Sequence, residues 1–469
     1  MGSIVFGALA PHPPIIIAAV GGEERNKAYK TIQAMEEFAR DLVGKDPETV
    51  VFISPHGPVF EDGIVILGGE SLSGDFARFN APQLKYHFSN DLELAHMIVE
   101  EAQSLDVFST VADREGAGHF NITLELDHGV LVPLEFIREA GFSGKIVVMG
   151  MAMLPPDQLY EFGMAIQRAI EKTPGRVAVI ASGDMSHRLT AAAPAGYNRR
   201  GQEFDLTLEE NLKGGDFARI MDMEPELVEG AGECGYRPLN ILLGVFDAYR
   251  VKTRVYSYEG PFGVGYLCVS ILPSVKEGVS GTRVAEFRRA RAERLGEQRG
   301  RRHPLVALAA KSLEHYLRTG ESLKQSSPLP AGLPSRAGVF VSIKRHGQLR
   351  GCIGTISPTQ QDLAQEVICN AVSAGTGDPR FFPIELEELP QLEFSVDVLG
   401  EEEPVAGPEY LDPQRYGVIV RSGKRSGLLL PNLAGIDTVS EQLRIACQKA
   451  GIEQKEKVEL SRFEVERYT

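Results

Sequence analysis

The sequence has no tryptophan, only five cysteines in 469 residues, and no CxxC pair. Because the cysteines are odd in number and widely spaced, neither a disulfide framework nor a structural zinc site is expected. There is no run of eighteen apolar residues, which argues against a membrane-spanning helix, and the N-terminus lacks the basic segment of a secretory signal. We therefore expect a cytoplasmic protein. The five cysteines are Cys234, Cys268, Cys352, Cys369 and Cys447.

The sequence also lacks the excess of basic residues that nucleic-acid binding requires. Its formal net charge is -15, so a general gain from counterion release on nucleic acid is not expected. A chain of 469 residues is too long for one ordinary core, which predicts two or three domains. We expect no nucleic-acid or membrane partner. A homo-oligomer is expected because symmetric dimers are the common case.

Short apolar runs rich in β-branched residues alternate with helix-like stretches over residues 1–275. Examples of such runs are "TVVFISP", "GKIVVMGMA" and "RVAVIAS". Near-continuous apolar strands of this kind are typical of a sheet that helices cover on both faces. The pattern predicts an α/β N-terminal domain with a central, mostly parallel sheet.

Residues 276–302 are rich in arginine and poor in large apolar residues. We interpret this segment as a solvated helical linker, in preference to an anion-binding arm.

Residues 303–469 then predict a smaller α+β domain. It begins with an amphipathic helix between Pro304 and Gly320 and continues with a hairpin that turns at His346-Gly347.

Three histidines closely follow strand-like runs in the first domain. His12 follows "IVFGALAP", His56 follows "VVFISP", and His187 follows "VAVIASGDMS". If these strands are parallel, their carboxyl ends share one edge of the sheet, which is where open α/β sheets bind ligands. We therefore predict that the three imidazoles converge on one site.

Two neutral imidazoles and one carboxylate form the ligand set of non-heme Fe(II) sites, and the same set can hold catalytic zinc. The candidate carboxylate is Glu233 in "EGAGECGYRPLNILLG". The adjacent Cys234 is a rival ligand, since thiolates bind zinc, iron and copper. His128 in "LDHGVLVPL" is either a packed, hydrogen-bonded residue at a helix start or a further member of the pocket. From these residues alone, iron, zinc and copper all stay open as the metal.

The motifs "PHPP", "SPHG", "LDHGVLVPL" and "SGDMSHRL", in this order, resemble class III extradiol ring-cleavage dioxygenases of the catalytic-subunit-B type. The resemblance covers roughly residues 1–273. It implies iron(II) held by His12, His56 and Glu233, with His187 as the acid/base and His128 near the substrate and oxygen. The implied reaction opens the ring of a small catecholic or related phenolic substrate with O2.

The same region resembles the Memo-like proteins through "GDMSH" and "CGYRPLNILL". In those proteins the glutamate is not part of the pattern, and a cysteine aligned with Cys234 takes part in the site. This sequence carries both Glu233 and Cys234. The glutamate favours the oxygenase-type site.

The motifs "LRGCIGT", "DPRFFPIELEELPQLEFSVDVL" and "GLLLP" of the second domain resemble the AMMECR family. Cys352 lies between glycines, which allow a ligand to approach the backbone closely, and Arg350 would favour its thiolate. The alternative is a small packed cysteine. Asp378 and Arg380 either line the same cleft or pair with each other. The resemblance implies no reaction for this domain.

The fusion of these two modules resembles the AmmeMemoRadiSam arrangement of bacteria and archaea, in which they accompany a radical SAM protein. The resemblance therefore implies a radical SAM protein as a partner.

Overall fold

The computed structural model describes residues 2–324, 329–423, 425–433, 436, 438–453 and 456–469, except for the side chain of Gln298. The chain divides into two compact units, Met1–Arg289 and Ala290–Thr469. The division falls within the predicted linker 276–302, most of which forms a single helix. Along the described ranges, no helix is both long and apolar enough to cross a bilayer.

The described residues of the first unit form twelve strands. They are β1 (Ser3–Ala10), β2 (Thr49–Ile53), β3 (Val59–Phe60), β4 (Ile64–Leu67), β5 (Ser71–Phe76), β6 (Ala81–Ser89), β7 (Ser109–Ala112), β8 (Lys145–Met149), β9 (Met151–Ala152), β10 (Arg176–Ser182), β11 (Tyr249–Glu259) and β12 (Tyr266–Lys276).

Among residues 2–301, ten α-helices lie within the first unit, and an eleventh crosses the division. They are α1 (Ala18–Gly21), α2 (Tyr29–Val43), α3 (Leu92–Gln103), α4 (Arg114–Phe120), α5 (His128–Glu139), α6 (Pro156–Lys172), α7 (Arg199–Gly214), α8 (Phe217–Met221), α9 (Pro225–Ala231), α10 (Tyr236–Val245) and α11 (Thr282–Arg301).

Eight strands form the main sheet in the order β11-β12-β1-β10-β2-β8-β4-β7. The four strands β1, β10, β2 and β8 are parallel to one another. Strand β12 runs antiparallel to β1, and β4 runs antiparallel to β8. The expectation of a mostly parallel sheet therefore holds for the central strands, whereas the sheet as a whole is mixed. The reason on one side is a hairpin, since β11 and β12 pair directly and add an antiparallel edge.

Both faces of the main sheet are buried, which explains why its central strands read as continuous apolar runs. Leu9 of β1 and Val51 of β2 belong to one hydrophobic cluster, together with residues of α3, α6 and α10. Phe6 and Phe52 of the same strands point to the other face, where they join residues of α2 and α5. The helices thus cover the sheet and leave the strand ends as its accessible edges.

The carboxyl ends of β1, β10 and β2 lie side by side. Ala10 pairs with Ser182, and Ile53 pairs with Ala181. The loops that leave these three strands therefore start at one edge of the sheet, as the sequence predicts. This register positions the candidate site.

The second unit is an α+β domain, as predicted. In the part of this unit that the structure describes, the strands form two antiparallel sheets in the orders β14-β13-β15-β20 and β16-β19-β17-β18. The strands are β13 (Val339–Arg345), β14 (Gln348–Gly354), β15 (Leu392–Leu399), β16 (Glu403–Val405), β17 (Gly417–Ser422), β18 (Arg425–Leu429), β19 (Glu459–Phe463) and β20 (Val465–Tyr468), and the helices are α12 (Pro304–Thr319), α13 (Leu363–Thr376) and α14 (Val439–Ala450).

In the second unit, the first helix and the first hairpin have the cap and turn residues that the sequence predicts. Helix α12 has Pro304 as its first residue and ends at Gly320, whose φ of 73° suits the left-handed cap. The hairpin of β13 and β14 turns at His346 and Gly347, which both have positive φ. Two consecutive left-handed residues match the twist of a two-residue hairpin turn.

Candidate metal centre

The three histidines that follow β1, β2 and β10 share the carboxyl edge of the sheet. The Nε2 atoms of His12 and His56 lie 2.9 Å apart. The Nε2 atom of His187 lies 3.7 Å from the Cys234 sulfur, which is also 3.7 Å from Nε2 of His12. Side chains more than 170 residues apart in the sequence therefore meet because three parallel strands end together.

The ring of His12 is held in one orientation by the serine that ends β10. The Ser182 hydroxyl donates its hydrogen to the carbonyl of Gly129. The same oxygen lies 2.8 Å from Nδ1 of His12, so it accepts a hydrogen bond from the Nδ1–H group. This tautomer leaves a lone pair on Nε2, which faces His56. A partner that fixes the tautomer in this way is typical of metal-ligating histidines.

His128 is the first residue of α5, and Asp127 caps that helix. The Asp127 carboxylate accepts hydrogen bonds from Gly129 N–H at 2.7 Å and from the Ser54 hydroxyl at 2.7 Å. This cap leaves the imidazole of His128 free to stack on the ring of His56, with 4.2 Å between centroids. His128 is therefore at the helix start, as one reading of the sequence predicts, and also faces the site.

One nitrogen each from His12, His56 and His128 lies within 4.8 Å of the other two, so these three residues could hold a metal ion. His12 is buried and His56 is exposed, so the group is reached from solvent on one side. Glu233 is not part of this group within the described residues. Its carboxylate accepts a hydrogen bond from the Tyr236 N–H at 2.5 Å, which ties it to the first turn of α10.

The loop before α10 carries Cys234 into the site. The Asp184 N–H donates to the Cys234 sulfur at 3.3 Å, and the Asp184 carbonyl accepts from Gly235 N–H at 3.0 Å. A Cβ on Gly183 would lie 2.2 Å from the Gly235 Cα, so only glycine permits this close approach of the two loops. Cys234 is thereby fixed between two histidines.

Asp184 joins the elements of the site, although sequence reasoning did not select it. Its carboxylate accepts a hydrogen bond from the His12 N–H at 2.9 Å, while its main chain contacts the loop of Cys234 and Gly235. It lies three residues before His187 in "SGDMSH". A carboxylate so close to a candidate catalytic histidine, directly after a strand, is the signal that could have identified it.

Desolvation and neighbouring imidazoles keep the histidines of the site neutral. Desolvation, followed by the charge of His56, holds the pKa of His12 well below its usual value. Desolvation lowers the pKa of His56 to about 4, and it also lowers the pKa values of His128 and His187. Neutral imidazoles are the form that binds metals, so the cluster is ready to accept a cation at neutral pH.

The pKa values of the acidic groups around the histidines are raised rather than lowered. Burial raises the pKa of Asp184 to about 7 and that of Glu233 to about 7. Burial also raises the pKa of the Cys234 thiol, and the charges of Asp184 and Glu233 add to this shift. A bound cation would reverse this trend, because its charge favours the deprotonated form of every nearby ligand. The donor set therefore fits a transition metal with nitrogen and either oxygen or sulfur ligands.

Comparison with known proteins identifies both domains. Residues 7–269 match the family described as the catalytic LigB subunit of aromatic ring-opening dioxygenase, and residues 306–468 match the AMMECR1 family. A protein of Clostridium acetobutylicum is 40% identical over 465 residues, covering 98% of both chains. The chain belongs to the LigB family, fused to an AMMECR1-family domain.

Relatives of the AMMECR1-family domain also occur alone. A protein of Thermotoga maritima is 50% identical over 169 residues, which are 35% of this chain and 97% of its own. The crystal structure of an uncharacterized protein from Pyrococcus horikoshii is similar over 35% of this chain and 89% of its own, with 34% identity and a TM-score of 0.34.

Three of the four residues predicted for a site in the AMMECR1-family domain lie together. The nearly buried Asp378 carboxylate accepts a hydrogen bond from the Cys352 N–H at 2.9 Å. It also pairs with Arg380 through two hydrogen bonds of 2.9 and 2.7 Å. The Cys352 sulfur accepts a hydrogen bond from the Ser342 hydroxyl at 3.3 Å. Asp378 therefore fixes both the backbone of Cys352 and the guanidinium of Arg380.

Arg350 belongs to a different ion pair. Its Nε and Nη2 atoms donate to the two carboxylate oxygens of Glu388, both at 2.9 Å, and its Nη1 atom donates to the Phe382 carbonyl at 2.7 Å. The guanidinium is thus directed toward Glu388, a partner that no sequence motif indicates. The interaction expected between Arg350 and the Cys352 thiol stays a prediction.

Replacing Ser182 with alanine should weaken metal binding by the LigB-family domain about tenfold or more, because the tautomer of His12 is no longer fixed. The dissociation constant for Zn(II) in competition with a chromogenic chelator measures this effect. Ser274→Ala, an exposed serine of β12, is the matched control and should leave the constant unchanged. Equal affinities in Ser182→Ala and the natural protein would contradict the assigned role of Ser182.

Asp378→Asn should destabilise the AMMECR1-family domain by about 2 kcal/mol, because it removes a nearly buried acceptor that serves both Cys352 and Arg380. Hydrogen exchange of peptides covering β13 and β14 measures this domain separately. The exposed Glu387→Gln is the control.

The effect of Asp378→Asn should depend on pH in one direction. Arg380 holds the pKa of the Asp378 carboxyl well below its usual range, so its stabilising contribution is complete at neutral pH. That contribution is lost as the pH falls below the ordinary aspartate value of about 4 and approaches the folded value. A difference in exchange that grows on acidification would contradict this account.

Proposed function

We propose that the LigB-family domain is an Fe(II)-dependent dioxygenase that uses O2 to open the ring of a small catecholic or related phenolic substrate. The observation that carries this proposal is the pair of His12 and His56. Their Nε2 atoms are 2.9 Å apart, and desolvation together with the neighbouring imidazoles keeps both rings neutral. Two converging neutral imidazoles at a solvent-accessible edge would supply the two nitrogen ligands of a non-heme iron site.

His12 and His56 would hold the metal, and Glu233 would supply the carboxylate. The Glu233 hydrogen bond to Tyr236 N–H uses Oε2 of a carboxylate with two oxygens. Zinc and copper are the alternative metals for this set of donors. When bound, Fe(II) would lower the pKa of a coordinated phenol and bring the aromatic ring and O2 into one site.

His187 is the proposed acid/base. Its ring is half-buried and burial lowers its pKa, so at neutral pH it can accept a proton from a substrate hydroxyl and return it later. His128 would form the wall beside the substrate. The ring of Phe79 packs against His128 with 5.5 Å between centroids, and such an edge-to-face contact favours an aromatic neighbour.

One observation favours a second function. The Cys234 sulfur is 3.7 Å from Nε2 of both His12 and His187, so a thiolate at this position is a candidate third ligand beside the histidines. A site completed by Cys234 would suit a Memo-like, non-oxygenase metal-binding component of a radical-SAM-associated modification system. The two functions differ in the third ligand and in the consumption of O2.

Metal analysis of anaerobically purified variants separates the two functions. The natural protein should contain one iron per chain, which His56→Ala and Glu233→Ala lose and Cys234→Ala retains. His87→Ala is the control, since His87 contacts Ser73 on a peripheral hairpin. Oxygen uptake with a panel of catechols should follow the iron content.

Iron that survives Glu233→Ala but is lost in Cys234→Ala, without oxygen uptake on any catechol, would overturn ring opening and support the second function. Circular dichroism of each variant shows whether a loss of metal follows from a loss of fold.

A further inference from the structure

A cavity of about 260 Å³ lies within the second unit, where the end of the arginine-rich segment meets residues of the AMMECR1-family domain. Three arginines line this cavity. Arg299 belongs to α11, Arg302 directly follows the end of that helix, and Arg318 belongs to α12. The lining is completed mainly by apolar residues of the segment that precedes and begins β15, which are Leu386, Leu389, Pro390 and Phe394. This cavity is separate from both groups of site residues described above.

The charges in this cavity are unbalanced. Arg318 pairs with Glu314 at 3.0 Å, and Glu314 is the only acidic residue among the described lining residues. The guanidinium of Arg299 donates to the Leu389 carbonyl at 3.0 Å, and that of Arg302 donates to the Leu392 carbonyl at 3.3 Å. Three guanidinium groups thus face one carboxylate, in a chain whose net charge is -15.

Arg302 is the most constrained of the three arginines. It is half-buried, and its guanidinium lies over the ring of Phe394, 5.7 Å from the centroid. Burial and the like charge of Arg299 lower the pKa of Arg302, whereas the nearby Glu393 opposes this shift. An anion in the cavity would offset both the lost hydration and the repulsion between the two guanidinium groups.

We propose that this cavity binds a small organic anion, that is, a carboxylate or phosphate group carried on an apolar body. Guanidinium groups bind both kinds of oxyanion through paired hydrogen bonds. The leucine, proline and phenylalanine side chains would contact the apolar part of the ligand. A volume of about 260 Å³ is slightly below the usual range for drug-sized ligands, so it fits a ligand of about one substituted ring.

This assignment gives the end of the arginine-rich segment a role as one wall of a binding site. The composition of residues 276–302 favours a solvated linker over an anion-binding arm. The segment contains residues of both kinds. Arg301 is exposed to solvent, whereas Arg299 and Arg302 line the cavity. The proposal does not depend on the metal centre or on ring opening.

Isothermal titration of the full chain with phenyl phosphate, benzoate and benzyl alcohol tests the proposal. At least one of the two anions should bind saturably with one site per chain, and the uncharged alcohol should not. Tighter binding of phenyl phosphate would identify a phosphate ligand, and tighter binding of benzoate a carboxylate ligand. Arg302→Gln should weaken the binding about tenfold or more.

Arg301→Gln is the matched control, since Arg301 is exposed and does not line the cavity. The affinity of this variant for the anion should stay within about twofold of that of the natural protein. If Arg302→Gln lowers the melting temperature, Arg318→Gln replaces it, because Arg318 is exposed and should also weaken binding. Absence of saturable binding, or an affinity that neither substitution changes, would overturn the proposal.

Discussion

The candidate metal centre depends on the parallel register of three neighbouring strands. Strands β1, β10 and β2 end level with one another, so the loops that follow them begin at one edge of the sheet. The Gly183 N–H continues the pairing by donating to the Ala10 carbonyl, which carries the order of the sheet one residue into the loops. A slip of one residue in any strand would exchange its two buried faces, and the two hydrophobic clusters prevent this. The position of His12 relative to His56 is therefore fixed by core packing rather than by the loops alone.

Asp184 connects the strand ends of the sheet to the residues of the site through hydrogen bonds. Its carboxylate holds the backbone of His12, its carbonyl holds Gly235, and its N–H holds the Cys234 sulfur. The loop before α10 is thereby joined to the strand ends, with glycines at the point of closest approach. Burial makes this arrangement costly for charged groups, which is why the imidazoles are neutral and the nearby acids have raised pKa values. A cation is the charge that such a set of groups is suited to accept.

The sequence predicts those features that depend on local pattern or on strand direction. The convergence of His12, His56 and His187 follows from apolar runs that end before each histidine, and the hairpin at His346 follows from a glycine turn between strands. Features that depend on distant partners could not be predicted in this way. Ser182 orients His12 from a neighbouring strand, and the Glu388 partner of Arg350 lies 38 residues away. The antiparallel hairpin at the sheet edge was missed for the same reason, since an apolar strand has the same composition in either direction.

The central claim is that His12 and His56 form the core of a metal centre at the carboxyl edge of the sheet. Anomalous scattering at the iron absorption edge, from crystals of the full chain loaded with Fe(II) under anaerobic conditions, tests it most directly. The account predicts one iron peak per chain, bonded to Nε2 of both His12 and His56, with a third protein ligand visible in the same map. An iron peak bound elsewhere, or no peak in crystals of the loaded protein, would contradict it.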